Sequence, residues 1–161
     1  MASTVVYGID PGLVHTGVVQ LSFVPQKRQV RRVVTVTLGP QPGDIARWVG
    51  PPAPNKHVFI EGYRPRSHYD TDNKMVEAVR EIHVAIPGSK VLLNHGAKKV
   101  IRRPLMDLLG VWKFSTITHH QDLRAAARIG LFGMVKNEEL NELLYQVVFD
   151  HVAGRTWDVL N

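Results

Sequence analysis

Residues 4–10 read TVVYGID and run straight into Pro11-Gly12, so that the segment 8–17 is GIDPGLVHTG. Val5, Val6 and Ile9 are β-branched and Tyr7 is aromatic, the residue types that suit a pleated, half-buried strand. Pro-Gly then forces a turn. A strand ending on a carboxylate, Asp10, is therefore the first element expected. β character resumes over 16–24 and again over 29–38, where Val30, Val33, Val34 and Val36 gather. Three such runs with tight connections predict an antiparallel meander.

Beyond the meander, 39–43 is a Pro/Gly breaker, and Asp44 is placed to cap a short helix over 44–49. The Pro-rich stretch 50–55 is loop. Residues 56–62 (KHVFIEG) predict a short buried strand, since Val58, Phe59 and Ile60 form an unbroken apolar run ahead of Glu61. Met75, Val76, Val79, Ile82 and Ile86 fall at helical spacing within 72–86, which ends at Pro87-Gly88. A further strand is expected over 89–93, then helices over 97–109, 118–135 and 138–151, the first of them weakened by Pro104. Strands interleaved with helices in this order predict an α/β layer architecture around a mixed five-stranded sheet, in one domain over 1–161.

The composition narrows the chemistry. The 161 residues hold no cysteine, which excludes disulfides and thiolate metal sites and leaves oxygen and imidazole as ligands. Twenty Lys+Arg against fourteen Asp+Glu give a net charge of +6, favouring a polyanionic partner, nucleic acid first. No apolar run reaches the ~18 residues of a membrane span. The beginning of the chain lacks a basic stretch followed by an apolar signal core, so a cytoplasmic location is expected.

Asp10 and Glu61 each end a strand, and His119 and Asp122 open the helical segment THHQDLRAAARIG. Taken singly, each has a plain structural reading. Asp before Pro-Gly is a common turn former, a Glu at a strand end can reach solvent, and a carboxylate in a first helical turn meets the macrodipole. Together they converge: strand ends in an open α/β sheet face one crevice, and residues three apart on a helix share a face. His120 falls on another face. Three carboxylates at one point repel unless cations neutralise them, and Mg²⁺ takes oxygen ligands. Two such ions about 4 Å apart suit phosphodiester hydrolysis.

These residues carry a resemblance. GIDPGLVHTG resembles the first-strand motif of the RuvC-like Holliday junction resolvases of the RNase H-like superfamily, VFIEG resembles their fourth-strand segment, and HHQDLRAAARIG their last motif. The resemblance spans nearly the whole chain, whose small size and divergence suggest a phage-type member. It implies an RNase H-like fold, three antiparallel strands followed by two parallel ones. It also implies a metal-dependent endodeoxyribonuclease acting in DNA recombination and repair, and Asp10, Glu61, His119 and Asp122 as catalytic metal ligands. His119 takes a position that many relatives fill with Asp. Mg²⁺, with Mn²⁺ as a substitute, is expected at two ions per site. Activity is expected to fall in acid, where a protonated imidazole cannot ligate a metal. The actin-like ATPases begin with a similar strand and turn, but need two large lobes to enclose a nucleotide.

Branched DNA is the expected partner. Arg64 and Arg66 follow Glu61, with Tyr63 and Tyr69 interleaved, and Lys98, Lys99, Arg102 and Arg103 form a second basic cluster. Such groups supply salt-dependent phosphate contacts, and the resemblance implies that Tyr63 stacks on an unpaired base at the junction centre. Asp70 and Asp72 read as loop and helix-cap residues, while His15, His57, His68, His83, His95 and His151 lack ligand spacing and read as structural. A C₂ homodimer would match a four-way junction's two-fold symmetry, and the helix over 74–86 has enough apolar positions to bury one face in its own core. A branch-migration helicase partner is left open. Two alternatives stand beside the resolvase: an RNase H-like nuclease for RNA or an RNA–DNA hybrid, and a branched-DNA binding protein without catalysis.

Overall fold

A computed structural model of the chain describes residues 3–65, 70–115 and 118–161. β1 (Thr4–Asp10) lies inside a sheet of order β5-β4-β1-β2-β3-β6. The expected meander is present: β1 pairs antiparallel with β2 (His15–Val24), which pairs antiparallel with β3 (Gln29–Leu38). On its other side β1 runs parallel to β4 (Lys56–Glu61), which runs parallel to β5 (Lys90–Leu92). The register pairs Ile9 with Ile60. One residue further, Asp10 and Glu61 end neighbouring parallel strands side by side.

A sixth strand, β6 (Asp158–Leu160), adds to the five expected and runs parallel to β3. Three residues are too few to show a period, so the sequence carries no sign of it. It is anchored by Asp150, which accepts hydrogen bonds from Trp157 Nε1 (2.9 Å) and Arg155 Nε (3.0 Å). The Trp157 indole N–H foremost, and then Arg155, hold the Asp150 carboxyl below the usual carboxylate range.

Strand alternation divides the core. Tyr7, Ile9, Val18, Val58 and Ile60 pack on one face with Ile45 and Val49 of α1 (Pro42–Val49) and Val79 and Ile82 of α2 (Asp70–Ala85). Val6, Val19, Leu21, Phe23 and Phe59 point to the other face. There they meet α5 (His120–Lys136) and α6 (Glu138–Val152). Asp44 does not cap α1. Gln41, in a left-handed conformation, stands at the cap, and Asp44 pairs with Arg47 inside the first turn. The helix expected over 97–109 is two, α3 (Ala97–Val100) and α4 (Arg103–Leu108), broken where Ile101 and Arg102 become extended. Pro104 falls in the first turn of α4, where its missing N–H is harmless. Among the described residues no helix is long and apolar enough to cross a membrane.

α5 lies unusually close to the sheet, and glycines permit it. A Cβ on Gly8 would sit 1.8 Å from the carbonyl oxygen of Ala126, and one on Gly17 would sit 2.7 Å from that of Asp122. A Cβ on Gly130 would meet the Gly8 backbone at 3.3 Å. The obstacles at Gly8 and Gly17 are backbone atoms, so no rotamer change relieves them. Gly8→Ala is therefore expected to cost about 3 kcal/mol, at the upper end for overpacking, measured as a shift in urea unfolding. A variant as stable as the native chain would show that α5 does not need this contact.

Candidate functional site

The paired strand ends bring Asp10 and Glu61 into a side-chain hydrogen bond. Two carboxyl groups bond in this way only when one keeps its proton. Burial foremost, then the hydrogen bond and charge of Glu61 and the charge of Asp122, push the Asp10 carboxyl up to about 9. Asn94, just past β5, donates through Nδ2 to Glu61 Oε1 at 2.5 Å and orients that carboxylate. The arrangement concentrates acid oxygens that cannot all ionise unaided. A hard divalent cation would fit this donor set, taking the place of the proton.

Asp122 approaches from the first turn of α5. His119 stands at the helix cap with φ 66°, one of three non-glycine residues with positive φ among those described. Such a conformation costs of order 1 kcal/mol and tends to mark functional positions. It keeps the imidazole at the site although His119 lies outside the helix: Nδ1 is 3.4 Å from Asp122 Oδ2. His120 turns elsewhere and packs edge-on against Phe114 at 5.9 Å.

The structure adds a residue that the sequence reading set aside as structural. His15, the first residue of β2, packs its ring on His119 with centroids 4.1 Å apart. Ligand atoms of His15, His119 and Asp122 all lie within 4.8 Å of one another. No ligand spacing links residue 15 to residues 119–122. Only the pairing of Asp10 with Gly17 could have signalled that His15 lies at the turn beyond the end of β1.

The basic residues divide. Lys98 and Lys99 line a groove of about 450 Å³ together with Glu61 and Arg128. Arg102 and Arg103 are engaged locally: Arg102 Nε donates to the Lys99 carbonyl, while Arg103 pairs with Asp107 and lies over Trp112. Arg64 and Tyr63 line a second groove of about 820 Å³ that includes Asp10 and Glu61. The Tyr63 hydroxyl donates to Asp72 Oδ1 at 2.5 Å, so the Tyr63 side chain is tethered; Asp70 belongs to α2 and not to a loop, and Asp72 lies inside that helix and not at its cap. Arg66 and Tyr69 lie outside the described residues. Arg128 was not singled out from sequence. It sits two turns along α5, where burial lowers its guanidinium's value while the Glu61 charge raises it.

The chain matches no protein-family model and no curated protein by sequence. Its structure is similar to that of T. thermophilus RuvC in complex with Holliday junction substrate. The TM-score is 0.53 and the identity 17%, covering 96% of this chain and 98% of that one. A Thermus thermophilus RuvC structure matches at TM-score 0.48 and 17% identity, covering 95% and 98%. The fold is RuvC-like, with the mixed sheet and flanking helices of the RNase H-like class.

The raised Asp10 value makes a stability prediction for the metal-free chain. Its ordinary value is 3.8 and its folded value about 9, so the folded state holds a proton that the unfolded state releases in between. That contribution is complete below the unfolded value and is lost as pH rises toward the folded one. In EDTA, Asp10→Asn is expected to gain melting temperature relative to the native chain between about pH 5 and about pH 9. A constant difference across that range would refute the buried, shared proton.

Proposed function

We propose that the chain, as one nuclease domain over 1–161, is a metal-dependent, structure-selective endodeoxyribonuclease that resolves Holliday junctions and related branched DNA. The observation that carries this reading is the placement of Asp10 and Glu61 side by side at the ends of neighbouring parallel strands, lining one groove, on a RuvC-like fold. Asp10 and Glu61 would hold one divalent ion, and Asp122 with His119 a second. Mg²⁺, or Mn²⁺ in its place, would supply activation of the attacking water and neutralisation of the leaving oxygen.

The remaining work falls to the chain. Asn94 fixes the Glu61 carboxylate through its 2.5 Å hydrogen bond. Lys98, Lys99, Arg64 and Arg128 border the two grooves that meet at Glu61, where they would seat the phosphates on either side of the cut bond. Arg102 and Arg103, engaged locally, would add only longer-range attraction. The tether of Tyr63 to Asp72 pre-orders its ring, which suits stacking on an unpaired base. A symmetric junction needs two coordinated nicks, so the active form is proposed to be a C₂ homodimer with one centre per nicked strand.

Cleavage of a labelled synthetic four-way junction tests the reading. Paired nicks are expected with Mg²⁺ or Mn²⁺, none in EDTA, and a loss of roughly 10²–10³-fold or more in Asp10→Asn. Metal-independent binding without cutting would indicate a junction-binding protein. Cutting confined to an RNA–DNA hybrid would move the substrate to RNA. Separately, Lys98→Ala and Lys99→Ala are each expected to weaken junction binding and lower its salt slope by about 1. Unchanged slopes would remove these lysines from the phosphate path.

A further inference from the structure

His15, His119 and Asp122 form a group whose chemistry differs from the rest of the centre. The Asp10–Glu61 half offers oxygen alone. The other half offers two imidazoles and one carboxylate, with ligand atoms all within 4.8 Å. Ligand atoms bound to one ion at about 2.1 Å stand roughly 3–4 Å apart, so a side-chain adjustment of about 1 Å closes the set. The group is reachable from solvent, since the His119 and Asp122 side chains are 31% and 35% exposed. Among the described residues no hydrogen bond engages either ring nitrogen of His15, whose recorded contact is the ring of His119. Three different elements deliver these groups: the start of β2, the left-handed cap and the first turn of α5. His119 and Asp122 are neighbours along one helix start, and the fold brings His15 to them from a distant part of the chain.

We infer that His15 is a third protein ligand, with His119 and Asp122, in a nitrogen-rich site that selects a divalent transition metal over Mg²⁺. The inference rests on the metal-centre reading above and assigns its two halves different cations. Two neutral imidazoles and a single carboxylate favour Mn²⁺, Co²⁺ or Zn²⁺, since imidazole suits these ions and Mg²⁺ prefers oxygen. The Asp122 charge also bears on Asp10, so the nitrogen half and the oxygen half are electrostatically linked. The site is thereby asymmetric: one side tolerates any hard divalent ion, and the other discriminates.

The test uses the full chain and Co²⁺, whose visible absorption reports nitrogen ligation, alongside Zn²⁺ competition and Mg²⁺ titration. Native protein is expected to develop the band and to lose it to Zn²⁺ but not to equal Mg²⁺. His15→Ala should weaken Co²⁺ binding by about 10–100-fold while Mg²⁺ binding stays nearly unchanged. His15→Phe keeps an aromatic ring against His119 without a ligand nitrogen, and it should lose Co²⁺ binding equally while retaining the native melting temperature. Native-like Co²⁺ affinity and spectrum in both variants would overturn the proposal and leave His15 a packing residue. Absence of the band in native protein that still cuts junctions with Mg²⁺ would also overturn it, with the nuclease reading intact. A His15-dependent band in a protein that cuts no junction would uphold the metal site and remove the resolvase reading.

Discussion

The backbone of α5 rests directly on the backbone of β1, and the rest of the molecule is arranged around that contact. Gly8 and Gly130 leave no side chain between helix and strand, and Gly17 lets the first turn of α5 settle on β2. Asp122 is carried to the sheet's end by this packing. Buried neighbours on the same helix, including Leu123, Ala126, Ala127 and Ile129, lock the docking in place. The hydrophobic stabilisation of that face is what allows like charges to be held together at one end of it.

Electrostatics then defines the centre. Asp10 sits within the charges of Glu61 and Asp122, and burial foremost raises the cost of ionising it. The surrounding cations relieve this only in part. Arg128 senses the Glu61 charge from within the helix face, whereas Lys98 and Lys99 stand at the groove's rim. Arg103 and Arg124 instead flank Trp112, lying 4.9 and 4.1 Å from its ring, and belong to the scaffold. The positive groups thus border the acidic centre without neutralising it, an arrangement suited to a ligand that brings its own phosphates and counter-ions.

Much of this was legible because the periodicities are local. The β-branched runs of β1 to β3, the apolar stretch before Glu61 and the helical spacing of α2 each announce themselves within ten to fifteen residues. Asp10 and Glu61 were visible as carboxylates closing apolar strands. What escaped depended on tertiary proximity or on brevity. His15 acquires meaning only when α5 delivers His119 to it, Arg128 only when its helix face turns toward Glu61, and Asn94 only when β5 joins the sheet. β6 is too short for any pattern, and Arg103 looked free until Asp107 and Trp112 folded beside it.

The glycine seat of α5 also governs how such a chain can change over generations. Between Asp122 and Gly130 the helix makes about two turns, and each inserted or deleted residue would rotate one end against the other by about 100°. Either the carboxylate leaves the centre or a side chain is driven into β1. Length variation is therefore barred from this stretch, while the connections at 62–65 and 95–96 border the grooves beside the centre without setting its register. Descendants of this sequence are free to reshape the rims of the two grooves by lengthening those connections. Their acidic centre can drift only by substitution, one side chain at a time.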